Sequence, residues 1–235
     1  MERNVDNDAM YQLNIGFAEG GAWEQNDGRN QTRLFATFFC KTINLDYEKE
    51  FSLLDAGCAL GDAVRVFAER YPNAKITAVD FSPVAVERAK EKYGHLANFL
   101  VCNIDEISNN YDVIYISNVL EHYLKYQDKA RYLTKKCNRL CIMVPYDERE
   151  KQGGKPITPD PSHTRHQYPF YEDSFNFLVK EGFARRIETY IISCPGTWGW
   201  DRRQRITHGI DNFFRKITGR PIVLEPLQII YDIFI

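Results

Sequence analysis

The run LLDAGCALGD at residues 53–62, followed by an acid at Asp80, constrains the fold of this chain more than any other feature. It reads as a buried strand, a glycine turn, a helix and a second strand (ITAVD) that ends in an acid. Gly57 and Gly61 let the backbone come close to a ligand, and the second acid can accept hydrogen bonds from ribose hydroxyls. The pattern predicts a site for a cofactor that carries a nucleoside.

Two residues of the turn indicate which nucleoside-bearing cofactor to expect. A dinucleotide places its pyrophosphate at the amino end of the helix, where free N–H groups attract anions, and its fingerprint is G-x-G-x-x-G. Here Ala59 occupies the second glycine position and Asp62 the third. A carboxylate at that place is expected to repel phosphate. S-adenosylmethionine carries ribose, adenine, a sulfonium and an amino-acid tail but no phosphate, so an acid at the helix start is compatible with it.

At these residues, and over roughly 50–193, the chain resembles the class I S-adenosylmethionine-dependent methyltransferases. The family's motif I is similar to residues 55–61, its ribose acid corresponds to Asp80, and its adenine-contact segment is similar to residues 98–105. Residues 112–122 (DVIYISNVLEH) resemble the LEH segment of the ubiquinone-biosynthesis type of small-molecule methyltransferase. Ala59 replaces the usual middle glycine, which a small methyl allows. Asn103 stands where an acid is common, so adenine is expected to contact backbone groups near Ile104.

The resemblance implies a set of cofactor-binding residues for S-adenosylmethionine. Its members lie in the turn or at strand ends: Asp55, Gly57, Ala59, Gly61, Asp80, Phe81, Asn103, Ile104 and Asn118.

Strand and helix signals alternate along the chain, which predicts an α/β protein with a doubly wound, parallel sheet. The resemblance implies that this sheet is the mostly parallel, seven-stranded sheet of the Rossmann-like methyltransferase type. Ligands of such sheets bind at the carboxyl ends of the strands, where the strand order reverses. The expected helices cover about 30–43, 64–71, 83–93, 126–136 and 172–181; the expected strands cover 51–55, 75–80, 98–102, 112–117, 140–144, 186–193 and 227–235.

We expect one domain over residues 1–235. Residues 1–49 form an N-terminal leader, 50–193 the cofactor-binding core, and 194–235 a lid-like insertion followed by the final strand, which the resemblance implies is antiparallel. The long polar loop at 145–169 leaves the fifth strand beside the expected cleft. Within the insertion, an amphipathic stretch that includes Ile217 is expected to pack as a helix by its apolar face.

Composition excludes several other classes of protein. A hydrophobic content of 44% supports a full core, and a net charge of −2 argues against a protein that must neutralise many phosphates. No apolar run reaches the ~18 residues of a membrane span, and the amino terminus lacks a signal-peptide core. Six scattered cysteines without a C-x-x-C pair indicate free thiols in a reducing cytoplasm. A small-molecule substrate in the cytoplasm is expected, without membrane or nucleic acid as partner.

Histidines are the candidate catalytic residues. Methyl transfer from a sulfonium requires an acceptor held in line and, for a hydroxyl, a base near neutrality. His122 follows the fourth strand and is expected to open the next helix at the cleft, so it is the favoured base. His163 and His166, in the long loop, are its alternatives or substrate ligands. Arg29 is a candidate partner for the cofactor carboxylate, and the Trp198-Gly199-Trp200 segment a candidate substrate wall.

Two alternatives remain open. Glu121, His122, His163 and His166 are similar to the metal ligands of small-RNA 3′-terminal 2′-O-methyltransferases, which carry E-x-x-E-H and H-x-x-H segments. Asn118 takes the place of the first acid in that pattern, so the primary prediction assigns no metal. The second alternative is a non-catalytic S-adenosylmethionine-binding protein, against which the intact turn and Asp80 argue. The favoured acceptor is a hydroxyl of a sugar, a nucleotide-linked sugar or another polysaccharide precursor.

Overall fold

The computed structural model describes residues 27–46, 48–149, 154–159, 166–194, 215–218 and 225–235. Its centre is a seven-stranded sheet in the order β3-β2-β1-β4-β5-β7-β6. The strands are β1 (Phe51–Ala56), β2 (Ala74–Asp80), β3 (Asn98–Val101), β4 (Tyr111–Ser117), β5 (Cys137–Pro145), β6 (Arg186–Cys194) and β7 (Glu225–Phe234). The strands from β1 to β5 pair in parallel, and β7 lies antiparallel between β5 and β6. The predicted mostly parallel, doubly wound sheet is confirmed.

Helices cover both faces of the sheet. They are α1 (Asp27–Thr42), α2 (Asp62–Arg70), α3 (Pro83–Tyr93), α4 (Tyr126–Thr134) and the single turn α5 (Phe177–Lys180). The amino end of α3 is capped, since Ser82 Oγ accepts a hydrogen bond from the Ala85 N–H at 3.2 Å and Pro83 opens the helix.

Alternate side chains of the central strands build two separate cores. Leu53 and Tyr115 face a cluster with α1, α2 and α3, whereas Leu54 and Ile114 face a cluster with α4 and α5. This period of two follows from the pleat, which sends successive side chains to opposite faces. In the first core the rings of Phe39, Phe67 and Tyr115 meet at centroid distances of 4.8–5.7 Å. The central strands are therefore buried on both sides, which holds their carboxyl ends in fixed positions.

Several expected elements differ from the structure. The predicted helix at 172–181 is α-helical only over Phe177–Lys180, and the apolar side chain of Val179 in that helix is 40% exposed. His122 does not open α4; it closes a 3-10 turn over Leu120–His122 that precedes it. Ile217, expected on a packed apolar face, is 64% exposed. Much of the insertion (195–214 and 219–224), Trp198 and Trp200 included, and residues 1–26 lie outside the described residues.

In the part of the chain described, no helix combines the length and apolar character needed to cross a bilayer. Cys40, Cys58, Cys102, Cys137 and Cys141 are free thiols.

Candidate functional site

The turn between β1 and α2 depends on backbone in the left-handed region. Gly57, Ala59 and Gly61 have φ angles of 84°, 46° and 74°. The N–H groups of Gly57 and Cys58 both donate to the Val79 carbonyl of β2, at 2.8 and 2.9 Å. The turn is thus tied to the end of β2.

The two glycines have no room for a side chain. A Cβ built on Gly57 would lie 2.4 Å from Cγ2 of Val119, just past β4. One built on Gly61 would lie 2.9 Å from Cε1 of Phe99 on β3. Both approaches are below normal van der Waals contact, so these positions require glycine for space as well as for φ. Ala59 adopts its positive φ at a cost of about 1 kcal/mol.

Asp80 sits at the end of β2 with its carboxylate fixed by the backbone. Its Oδ2 accepts the Ala59 N–H at 2.8 Å, and its Oδ1 accepts the Ser82 N–H at 2.9 Å. Burial raises the pKa of Asp80, and backbone hydrogen bonds from Ser82, Ala59 and Phe81 partly oppose that rise. Each oxygen keeps a second lone pair, which suits it to accept a hydrogen bond from a ligand hydroxyl.

Asp55 lies one residue before the end of β1 and is 3% exposed. Its Oδ2 accepts no hydrogen bond from the described residues. Burial, with the charge of Asp80 in addition, raises the pKa of the Asp55 carboxyl to about 7. Two buried carboxylates beside a backbone turn favour a ligand with hydroxyls and a positive charge and disfavour a polyphosphate. The residues present therefore fit S-adenosylmethionine.

Three further predicted ligands lie at the neighbouring strand ends. Asn103 caps the 3-10 turn Ile104–Glu106, its Oδ1 accepting the Asp105 N–H at 3.4 Å, and Ile104 is buried. Asn118 follows β4 with a φ of 52°, and its N–H donates to the Met143 carbonyl at 2.9 Å. The ends of β1, β2, β3 and β4 thus bring the predicted cofactor residues to one edge of the sheet.

The structure corrects the argument from Asp62. Its carboxylate is 2.8 Å from Arg29 Nε and 2.8 Å from Arg33 Nη2, both on α1, and accepts the Tyr93 hydroxyl at 2.7 Å. Two guanidiniums accompany its charge, so repulsion of phosphate by Asp62 is not the reason to exclude a dinucleotide. Arg29, expected near the cofactor carboxylate, is committed to this contact. Asp62 instead anchors α1 to the first turn of α2.

A second polar group lies just past β4. One ligand atom each from Glu121, His122 and His166 falls within 4.8 Å of the others, and the two imidazole rings meet edge to face at 4.8 Å. His166 Nδ1 hydrogen-bonds Glu148, and Glu121 is fully buried. We call Glu121, His122, His166 and Glu148 the imidazole cluster. His163, predicted with this group, is outside the described residues.

The pKa values of Glu121 and His166, in the imidazole cluster, are both raised. Burial raises the pKa of Glu121 to about 7, although the His166 charge opposes the rise. Burial lowers the pKa of His166, but the Glu148 hydrogen bond and the charge of Glu121 outweigh it, and the net pKa is raised. Sequence reasoning missed Glu148, because a single acid in a polar loop has no pattern that distinguishes it.

Residues 53–141 match the protein family described as a methyltransferase domain. A malonyl-[acyl-carrier protein] O-methyltransferase of Acetivibrio thermocellus is 32% identical over 79 residues, which are 32% of this chain and 28% of the relative. A second, from Ilyobacter polytropus, is 36% identical over 72 residues, or 29% of this chain and 27% of the relative. The chain thus spans less than a third of the curated relatives it matches.

Solved structures resemble the chain over most of its length. Magnesium protoporphyrin IX methyltransferase from Synechocystis PCC 6803, with bound S-adenosylmethionine, has a TM-score of 0.54 at 14% identity, covering 96% of this chain and 84% of that one. A plantazolicin methyltransferase in complex with a substrate analogue and S-adenosylhomocysteine has a TM-score of 0.55 at 16% identity, covering 99% and 98%. At these identities the likeness establishes the fold.

Proposed function

Residues 53–141 match the methyltransferase domain family, and from this premise we propose that the chain transfers a methyl group from S-adenosylmethionine to an oxygen atom of a small molecule. The observation that supports this most is the buried pair Asp55 and Asp80 beside the Gly57 turn, where the strand order reverses. The partial relatives are named as O-methyltransferases, which agrees with an oxygen acceptor.

Each predicted ligand has a role in this proposal. Asp80 accepts the ribose hydroxyls, and the residues around Asn103 and Ile104, with Phe81, contact adenine. Asp55 and Asn118 face the cationic end of the cofactor. The remaining members line the turn with backbone alone: Gly57, Ala59 and Gly61.

Catalysis requires mainly placement and a proton acceptor. S-adenosylmethionine, when bound, supplies a methyl group on a sulfonium whose sulfur leaves with the bonding electrons. The chain must hold the acceptor oxygen in line, within about 3 Å of the methyl carbon. His122, which follows β4 on the same edge as Asn118, is the favoured residue to take the hydroxyl proton. His166, whose ring touches that of His122, is the alternative base; His163 remains a prediction from the sequence.

The acceptor class we favour is a sugar, a nucleotide-linked sugar or another polysaccharide precursor. The alternatives are a metal-dependent RNA 2′-O-methyltransferase and a protein that binds the cofactor without catalysis. The three candidate functions differ in which substrate, if any, is methylated. We would incubate the full chain with S-adenosylmethionine and separate pools of nucleotide sugars, acyl thioesters and small RNAs, and follow S-adenosylhomocysteine by mass spectrometry. Turnover with RNA alone would favour the RNA enzyme.

Substitution of His122 tests the base. His122→Ala should lower the methyl-transfer rate about a hundredfold or more, because the acceptor proton loses its base. The dissociation constant for S-adenosylmethionine should stay within about twofold of the wild-type value. The matched control is His95→Ala, since His95 is exposed on the loop after α3 and should leave both quantities unchanged. Equal loss of rate and cofactor binding in His122→Ala would make His122 structural.

A further inference from the structure

The imidazole cluster contains a buried carboxylate, Glu121, that has no role in the proposed binding of cofactor or in the proposed methyl transfer. Glu121 is 0% exposed, and neither of its carboxylate oxygens accepts a hydrogen bond from any described residue. An ionised carboxylate buried in this way is strongly unfavourable unless a cation or donors accompany it. The two imidazoles beside it offer nitrogen lone pairs, and lone pairs bind cations.

We propose that Glu121, His122 and His166 bind one divalent transition-metal ion, such as Zn²⁺, Co²⁺ or Mn²⁺. Their ligand atoms lie within 4.8 Å of one another. Tetrahedral zinc with nitrogen and oxygen ligands at about 2.1 Å separates those ligands by roughly 3.4 Å. Side-chain rotations that shorten the longest distance between two ligand atoms by about 1.4 Å would therefore give the spacing of a zinc site. Two imidazoles with one carboxylate select such ions over Mg²⁺ and Ca²⁺, which take oxygen ligands.

Glu148 supports this assignment from outside the ligand set. Its carboxylate holds Nδ1 of His166, so that Nε2 is the nitrogen directed to an ion, and the hydrogen bond fixes the ring. The cluster contains two carboxylates and, when metal-bound, two neutral imidazoles. A divalent cation balances that charge. The side chains of His166 and Glu148 are 30% and 36% exposed, which gives the ion a path from solvent.

The position of the cluster places such an ion on the acceptor side of the cleft. Leu120–His122 follows Val119, which packs against the Gly57 turn. One imidazole lone pair cannot bind a cation and accept a proton at the same time. The base role of His122 therefore belongs to the metal-free protein, and in the metal-bound protein the cation would lower the pKa of a bound acceptor hydroxyl. Metal binding itself does not depend on the methyl-transfer proposal.

The test is a Zn²⁺ titration of the full, tag-free chain by calorimetry after chelation, with elemental analysis of dialysed samples. We expect one Zn²⁺ per chain. Glu121→Gln and His166→Gln should weaken binding about a hundredfold or more, and Glu148→Gln about 10–100-fold. The control His95→Gln, at an exposed histidine, should bind as the wild type does. Zn²⁺ should also raise the unfolding temperature of the wild type.

Binding well below one ion per chain would overturn the site, as would wild-type affinity in both Glu121→Gln and His166→Gln. Circular dichroism checks that each variant is folded. His166 is half-buried, so its variant keeps the test decisive should Glu121→Gln fail to fold. Titration of the same samples with S-adenosylmethionine separates the two proposals, because loss of cofactor binding with intact Zn²⁺ binding contradicts only the proposed function.

Discussion

Single residues around the β1–α2 turn differ in how far the sequence predicts their place in the structure. Gly57 is recognisable because only glycine satisfies a φ of 84° with Val119 pressed against it. Asp80 is recognisable because an acid after a buried strand lands at the sheet edge. The direction of the Asp62 side chain could not be predicted, since its partners Arg29 and Arg33 lie about 30 residues earlier and no local pattern joins them.

Asp55 makes cofactor binding depend on pH. Its carboxyl, with a pKa raised to about 7, is protonated below neutrality in the free protein, and a cationic ligand favours the ionised form. Affinity for S-adenosylmethionine should therefore rise as pH increases from 6 to 8. Calorimetry of the wild type and of Asp55→Asn gives the two affinities at each pH. The difference between them is free of the cofactor's own titration, because that titration affects both proteins equally. The variant should lose this rise, whereas Glu121→Gln should keep it; equal pH profiles in wild type and Asp55→Asn would contradict the assignment.

The raised pKa of Asp55 also determines how this carboxyl makes the free energy of unfolding depend on pH. Because the folded state holds the Asp55 proton up to about pH 7 and the unfolded chain releases it near pH 4, the folded protein binds more protons between those values. The contribution of this carboxyl to the free energy of unfolding falls as pH rises through that window.

At the scale of elements, α1 and α2 are joined through one buried carboxylate. Asp62 is 1% exposed and accepts from two arginines of α1 and from Tyr93 of α3. Asp62→Ala should lower the free energy of unfolding by about 3 kcal/mol, because it leaves part-buried guanidiniums without their counter-charge. Urea denaturation measures this. It should also weaken cofactor binding, since Asp62 directly follows Gly61.

The control for that change lies on the same helix. Glu69 forms an exposed i,i+4 pair with Arg65, and Glu69→Ala should change stability by only about 0.5 kcal/mol or less. If Asp62→Ala were as stable as Glu69→Ala, the anchoring role would be wrong.

Elements with a strong repeat were predicted well, and short irregular ones were not. The predicted limits of α3, 83–93, agree with the structure, and the apolar run at 227–235 predicted the strand β7, whose antiparallel place in the sheet the resemblance implied. The segment 172–181 shows the opposite case. Its apolar spacing resembles a helix, but Phe175 packs against Tyr126, Phe170 and Tyr231, and this aromatic packing holds most of the segment as turns. Tertiary contacts between residues far apart in sequence override local preference there.

For the whole molecule, the fold class followed from the sequence and is confirmed, and residues 53–141 match a methyltransferase domain as the resemblance implied. The carboxyl edge of a parallel sheet gathers residues that are distant along the chain, so a site at strand ends can be inferred from topology alone. The imidazole cluster could be anticipated only in part, because Glu148 and His166 come from a loop whose path no periodicity fixes. The domain limits, the cofactor-binding residues and the base remain predictions.

One titration tests the central claim, that the buried carboxylates beside the Gly57 turn hold an adenosine attached to a positively charged sulfur. Calorimetry should find one S-adenosylmethionine per chain. Asp80→Asn should weaken that binding by about 1–3 kcal/mol, the value of charged hydrogen bonds to ribose. Asp112→Asn, an exposed acid bonded to Ser52 at the opposite edge of the sheet, should bind as the wild type does. Binding of NAD in place of S-adenosylmethionine, or identical affinities in the Asp80 and Asp112 variants, would contradict the account.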